Sequence, residues 1–209
     1  MKINASVPAL LGAITAALLT VGCAQTAHRH NSFRQLYTGQ NLGGWCYSAT
    51  EQFNGRKEAS DGRYTAQRHA LVVNDYVPAK GPHLRQLWTV EEFPGDFELR
   101  LEFRAQVNAD SGIFIRKPQL QCRDYLVAGP YKNLKKYRPQ DWNEIVVVVR
   151  DNVAHCTCNG EVLEAALKLP PTGPIGLEAD RGQMEYRNIR IRKLDYDRKT
   201  GTGDRSLIL

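Results

Sequence analysis

Beyond its N-terminal segment, this 209-residue sequence lacks any run in which apolar residues recur at helical spacing over three turns, which argues against a helical architecture. It has no basic block either. Its 28 Lys and Arg are interleaved with 22 Asp and Glu, as in Glu98-Leu-Arg-Leu-Glu-Phe-Arg104, so the net charge of +6 does not mark a nucleic-acid partner. There is no G-x-S-x-G elbow for a serine nucleophile, and no C-x-x-C or His pair at ligand spacing to complete a metal site around His155-Cys-Thr-Cys158. No cofactor or metal-ligand set is therefore predicted, and a divalent-cation requirement is left open by the sequence. Repeats and low-complexity tracts are missing as well, and 42% hydrophobic with 24% charged residues excludes disorder and collagen. A mature domain of about 180 residues buries on the order of 70% of its unfolded surface and needs neither metal nor disulfides to hold a core.

The one long apolar run is N-terminal. After Met1-Lys2 there is no charge through Ala27, and the apolar heart spans Val7 to Val21, about 15 residues, too short for a comfortable membrane span. Leu18-Leu-Thr-Val-Gly-Cys23 is similar to a bacterial lipobox, with Thr20 where an aliphatic residue is usual. Residues 1–22 are thus expected to be an export signal, Cys23 the lipidated N-terminus, 23–32 a tether, 33–194 one domain and 195–209 a tail. Ala24 in place of Asp after the Cys points to the outer membrane, and cleavage near Ala24 without lipid would instead leave the protein in the periplasm. The membrane is engaged through the lipid alone, because acyl chains contribute about 0.8 kcal/mol per buried CH₂.

Four further cysteines, Cys46, Cys122, Cys156 and Cys158, read as buried apolar thiols, as a disulfide framework or as a metal fragment. Cys156 and Cys158 lie two apart on one strand face and do not pair with each other.

The mature chain is dominated by short alternating runs. In Asp96 to Arg104, Phe97, Leu99, Leu101 and Phe103 alternate with Glu98, Arg100, Glu102 and Arg104. Leu84–Val90, Ser111–Arg116, Gln119–Asp124, Asn143–Val149, Val153–Cys158 and Met184–Lys193 behave likewise. Turn signals such as Pro94-Gly95 and Asp151-Asn152 separate them, Asn159-Gly160 predicts a type I′ hairpin, and the parity change between Tyr186 and Ile189 predicts a bulge near Arg187-Asn188. So many short strands mean an antiparallel two-sheet sandwich or a barrel. Trp45, Trp88 and Trp142 read as core, and His69, His83 and His155 are candidate bases whose ordinary role on a strand is a hydrogen bond.

Phe33-Arg-Gln-Leu-Tyr-Thr-Gly-Gln-Asn-Leu-Gly-Gly-Trp45 resembles the opening of the bacterial 3-keto-disaccharide hydrolase domain family. Asp110-Ser-Gly-Ile-Phe-Ile-Arg116, Asp141-Trp-Asn-Glu144, Gly173-Pro-Ile-Gly-Leu-Glu178 and Glu185-Tyr-Arg-Asn-Ile-Arg-Ile-Arg192 match its later motifs in order. The resemblance implies an all-β, concanavalin A-like jelly-roll sandwich whose concave face takes carbohydrate or an oxidised glycoside, and cleavage of 3-keto-glucosides by hydrolysis or elimination at C1/C2. The chain departs from the family's E-x-Q-I-x-D, since Gln119 stands where Glu is usual, which opens the alternative of a non-catalytic carbohydrate-binding or surface-interaction lipoprotein.

With that resemblance in hand, Glu102 or Asp124 is expected to carry the proton and Arg116 to stabilise the enolate, provided their strands adjoin. Phe114 would stack on a sugar ring, while Gln119, Gln121, Tyr131 and Lys132 would contact substrate hydroxyls. Lys132 lies in a small basic loop with Lys135 and Lys136, whose ordinary role is solvation.

Overall fold

Each alternating run becomes a strand in the computed structural model, which describes residues 32–67, 70–127 and 129–195. Cys23 and the export segment, the tether up to residue 31, His69, and the tail from residue 196 lie outside the described residues. The strands are β1 (Arg34–Gln35), β2 (Trp45–Ser48), β3 (Glu51–Gln52), β4 (Tyr64–Gln67), β5 (Ala70–Val73), β6 (Arg85–Thr89), β7 (Phe97–Ala105), β8 (Gly112–Ile115), β9 (Gln119–Gln121), β10 (Asn143–Arg150), β11 (Val153–Cys158), β12 (Glu161–Lys168), β13 (Ile175–Ala179) and β14 (Met184–Lys193). Among the described residues the sole helical element is one 3₁₀ turn, Pro78–Lys80.

These strands make two antiparallel sheets. One has eight strands, in the order β12-β11-β10-β7-β14-β5-β4 with β1 added on β14; the other has six, in the order β3-β2-β6-β13-β8-β9. Alternation decides which side chains enter the layer between them. Leu99, Leu101 and Phe103 on β7 and Ile145, Val147 and Val149 on β10 face Ile113, Ile115, Leu87 and Leu177 of the other sheet's strands in one core, each at most 1% exposed. Trp45 is fully buried there, its indole N–H donating to the Leu36 carbonyl at 2.9 Å. The sequence reading of an all-β two-sheet sandwich is the observed architecture.

Turn chemistry explains the register. Asp151 and Asn152 (φ 48° and 62°) join β10 to β11, and Asn159 and Gly160 (φ 49° and 81°) join β11 to β12. Two successive positive φ values match the strands' right-handed twist, and Asn, Asp and Gly tolerate them. The bulge forms where parity changes: β14 slips against β7 between Arg187 and Arg190, with Asn188 at φ 53°. The slip lets Met184 and Tyr186 point inward before it and Ile189 and Ile191 after it.

Candidate functional site

On the outer face of the six-stranded sheet, two glycines open a floor. Strand register places Trp88, Gly176 and Phe114 side by side across β6, β13 and β8. A Cβ on Gly176 would sit 2.6 Å from the Trp88 ring and 3.2 Å from Phe114 Cβ, so only glycine lets the two aromatic side chains close over the strand. Their ring centroids are 5.0 Å apart at 45°, and both side chains remain half-buried. The next row holds Gln86 beside Glu178, with Gly112 and Gln121 beyond. A Cβ on Gly112 would lie 2.2 Å from the Gln119 amide nitrogen, and across that gap Gln119 Nε2 donates to Glu178 Oε2.

Glu178 therefore sits half-buried between two amides and beside two rings. Burial raises its carboxyl above the ordinary carboxylate range; Asp180 and Asp110 push the same way, while hydrogen bonds from Gln119 and Gln86 oppose them. Gln121 Oε1 is a buried acceptor with no hydrogen-bond partner among the described residues. On the other flank a cavity of about 240 Å³ is lined by Tyr47, Ser48, Glu51, Leu84, Arg85, Gln86 and Trp88. The Arg85 guanidinium lies 3.8 Å over the Tyr47 ring, with Glu51 at 3.4 Å and Asp61 at 3.5 Å. Aromatic rings, amides and a raised carboxyl on one open face can stack on a ring substrate, read hydroxyl groups and move a proton.

The structure does not bring Glu102, Arg116 and Asp124 together. The expectation that their strands adjoin is corrected: β7 belongs to the eight-stranded sheet and β8 to the six-stranded one. Glu102 lies on the opposite outer face of the sandwich, accepting from Arg187 Nε and Asn188 Nδ2 at 2.6 Å each. Arg116 does not continue the outward parity of Phe114, because at φ 63° it leaves the strand and turns into the end of the sandwich, where it is 4% exposed. There its guanidinium donates to the carbonyls of Phe93 (2.8 Å), Pro170 (2.8 Å) and Gly95 (2.5 Å) and to Asn152 Oδ1 (2.8 Å), which leaves little donor capacity for an enolate. Asp124 is 3% exposed and clasps loops, accepting from the Asn108 N–H at 3.1 Å and the Tyr137 hydroxyl at 3.4 Å.

Of the expected substrate contacts, Phe114, Gln119 and Gln121 share the face just described. Tyr131 does not: it is 8% exposed, packs edge-on against Tyr125 and donates to Glu164 at 2.6 Å on the side of the eight-stranded sheet. Lys132 is exposed in the loop after β9. Cys46, Cys122, Cys156 and Cys158 are buried, unbridged thiols, and no cluster of metal-ligating side chains occurs among the described residues. Trp88 and Trp142 are not core as expected; each lies half-buried on an outer face. His155 is half-buried, with Nδ1 3.3 Å from the Ala165 carbonyl.

Sequence reasoning missed Glu178, Gln86 and the outward face of Trp88. The signal available for Glu178 was the alternation of Gly176-Leu-Glu178. What alternation could not supply was that β13 lies within reach of β9.

Residues 32–192 match the 3-keto-alpha-glucoside-1,2-lyase-like domain family. Among solved structures, a proposed glycosyl hydrolase from Parabacteroides distasonis is similar at 14% identity and a TM-score of 0.58, covering 78% of this chain and 94% of that one. Another from the same organism is similar at 19% identity and a TM-score of 0.57, covering 78% of this chain and all (100%) of the other. At these identities the likeness shows the fold alone. No curated protein matches the chain.

Proposed function

Because the chain belongs to the 3-keto-alpha-glucoside-1,2-lyase-like domain family, we propose that it cleaves 3-keto-glucosides on the outer face of the six-stranded sheet. The observation that carries this reading is Glu178, a half-buried carboxyl held between Gln86 and Gln119 beside the Trp88 and Phe114 rings.

In a 3-keto-glucoside the carbonyl acidifies the proton on C2. Glu178 removes that proton; the C2–H electron pair forms the C1–C2 double bond as the C1–O pair goes to the aglycone oxygen, which takes a proton from a general acid or from water. Later addition of water across the double bond makes the net reaction a hydrolysis. The side-chain amides supply hydrogen bonds to the enolate oxygen and neighbouring hydroxyls, and the rings stack on the sugar. Gln119 favours the second reading, a module that binds carbohydrate on the same face without turning it over.

One experiment separates the two. Purified protein should release the aglycone from a 3-keto-glucoside and leave the unoxidised glycoside intact, and Glu178→Gln should lower kcat by about 10²-fold or more, the usual contribution of a general base. Calorimetric binding of the keto-sugar with no release at any pH from about 5 to 9 would leave the binding module standing. The lipobox-like ending at Cys23 supports a place in the cell envelope with a lipid anchor; in a Gram-negative host the full chain should take up labelled palmitate, and Cys23→Ser should abolish it.

A further inference from the structure

Arg63 is 3% exposed, yet among the described residues its buried guanidinium makes no ion pair; it donates to three carbonyls. Nη1 reaches the Asn74 carbonyl at 2.5 Å, and Nη2 reaches both the His83 carbonyl at 3.1 Å and the Asp180 carbonyl at 2.9 Å. One buried guanidinium thus ties together two segments 97 residues apart, read as the difference between positions 83 and 180. Beyond the clamp the two side chains meet, with His83 Nδ1 3.4 Å from Asp180 Oδ1. Tyr76 packs edge-on against the imidazole at 4.8 Å, and Arg63 lies 5.8 Å over the Tyr76 ring. The imidazole is about half exposed (51%) and the Asp180 side chain a quarter exposed (26%), so the pair is open on the side away from its support.

Asp180 follows Glu178 by two residues on the same outward parity, with the inward Ala179 between them, and its charge is felt at the Glu178 carboxyl. The arrangement has the parts of an acid beside a base. Asp180 faces Nδ1 and accepts the proton there, so that when the ring carries its second proton it is the Nε2–H that is presented to a ligand.

We propose that His83, oriented by Asp180 over the Arg63 clamp, protonates the departing aglycone oxygen, while Glu178 takes the proton from C2. The inference rests on the reading of Glu178 given above and divides the proton work between two groups. Glu178 gains the C2 proton, the C2–H pair becomes the C1–C2 double bond, the C1–O pair goes to the aglycone oxygen, and that oxygen takes the proton from His83 Nε2. Solvent returns the proton from Glu178 to His83. Nothing is oxidised or reduced. Asp180 and Arg63 are positioning residues in this scheme.

The test varies the leaving group. A sugar aglycone leaves poorly without an acid, whereas a 4-nitrophenol leaves as its anion. With the full chain, His83→Gln should lower kcat more on a 3-keto-glucoside with a sugar aglycone than on the 4-nitrophenyl analogue, the two losses differing by about 10²-fold. Asp180→Asn should show the same selectivity at smaller size. Equal losses on both substrates, or no loss on either, overturn the proposal and leave Glu178 untouched. A second measurement does not depend on turnover: in the Glu178→Gln variant the His83 imidazole NMR resonances should move as the keto-sugar saturates the site, with Trp88 fluorescence reporting saturation. Saturation without movement at His83 overturns the proposal alone. A wild type that releases aglycone from neither substrate overturns both readings.

Discussion

The two outer faces of the sandwich use the same residue types in opposite ways. On the eight-stranded sheet every carboxylate is answered by its neighbours. Glu98 accepts from Arg100 and Arg192, Glu102 from Arg187 and Asn188, and Glu185 from Arg104. Its rings are covered too: Arg104 and Arg187 lie 4.8 and 3.9 Å over Trp142, and Arg100, Arg190 and Arg192 surround Phe33. On the six-stranded sheet, Trp88 and Phe114 face each other, no cation stacks on either among the described residues, and Glu178 has amides rather than guanidiniums beside it. Cross-strand Arg–Glu pairs neutralise the first face at a gain of a few tenths to about 1 kcal/mol each. The second face keeps its ring surface uncovered by cations and its carboxyl held by amides without an ion pair among the described residues, and those are the groups available to a ligand.

The sharpest way to break this contrast is at Arg116, which alternation assigned to the ligand-facing side and the fold turned inward. Arg116→Met should cost about 3 kcal/mol or more in denaturant unfolding, because it leaves three carbonyls and Asn152 without their donor. Unchanged stability with lost sugar binding would return Arg116 to the site. Next, Trp88→Ala combined with Phe114→Ala should weaken keto-sugar binding in calorimetry by about 100-fold, roughly 2.7 kcal/mol at about 1.4 kcal/mol per ring, with the circular dichroism spectrum intact. Trp142→Ala on the other face should leave binding unchanged and cost about 1 to 2 kcal/mol of stability, the size of two cation–π contacts.

A smaller effect lies in the pH dependence of stability. Burial raises the folded-state pKa of Glu178 above the ordinary 4.5, so the folded chain holds that proton more tightly than the unfolded one. The contribution to stability is full below the unfolded pKa and is lost as pH rises through the folded value. The Tm of Glu178→Gln relative to wild type should therefore be more favourable at about pH 7 than at about pH 4, on either side of the titration. An unchanged difference would mean that Glu178 is not desolvated. Smallest of all, Glu102→Gln should change stability by less than about 1 kcal/mol and leave aglycone release unaltered, as fits one partner of a half-exposed surface pair.

Legibility in the sequence followed the range of the physics. Alternation in Phe97 to Arg104 and in Asn143 to Val149, together with the positive-φ pairs Asp151-Asn152 and Asn159-Gly160, is local chemistry, and it became β7, β10 and their hairpins without revision. Glu161-Val-Leu-Glu-Ala-Ala-Leu-Lys168 was less readable, since Glu, Leu, Ala and Lys favour helix, yet it is the edge strand β12 because pairing with β11 outweighs propensity. In the site, Phe114 was found by parity, and Gln119 and Gln121 through the family motif their segment resembles. Glu178 and Gln86 were not, because their neighbours are 59 and 92 residues away in sequence, taking positions 119 and 178 as the references.

By itself the sequence determined what depends on neighbours along the chain: an all-β domain, its turns, its bulge, and the faces along each strand that are wet. Only the tertiary structure decided which wet face meets which, for strand order within a sheet comes from long-range pairing and the burial of a shared core. That pairing set Glu102 among arginines on one side of the molecule and Glu178 among amides on the other, and two glutamates of similar local pattern acquired different environments.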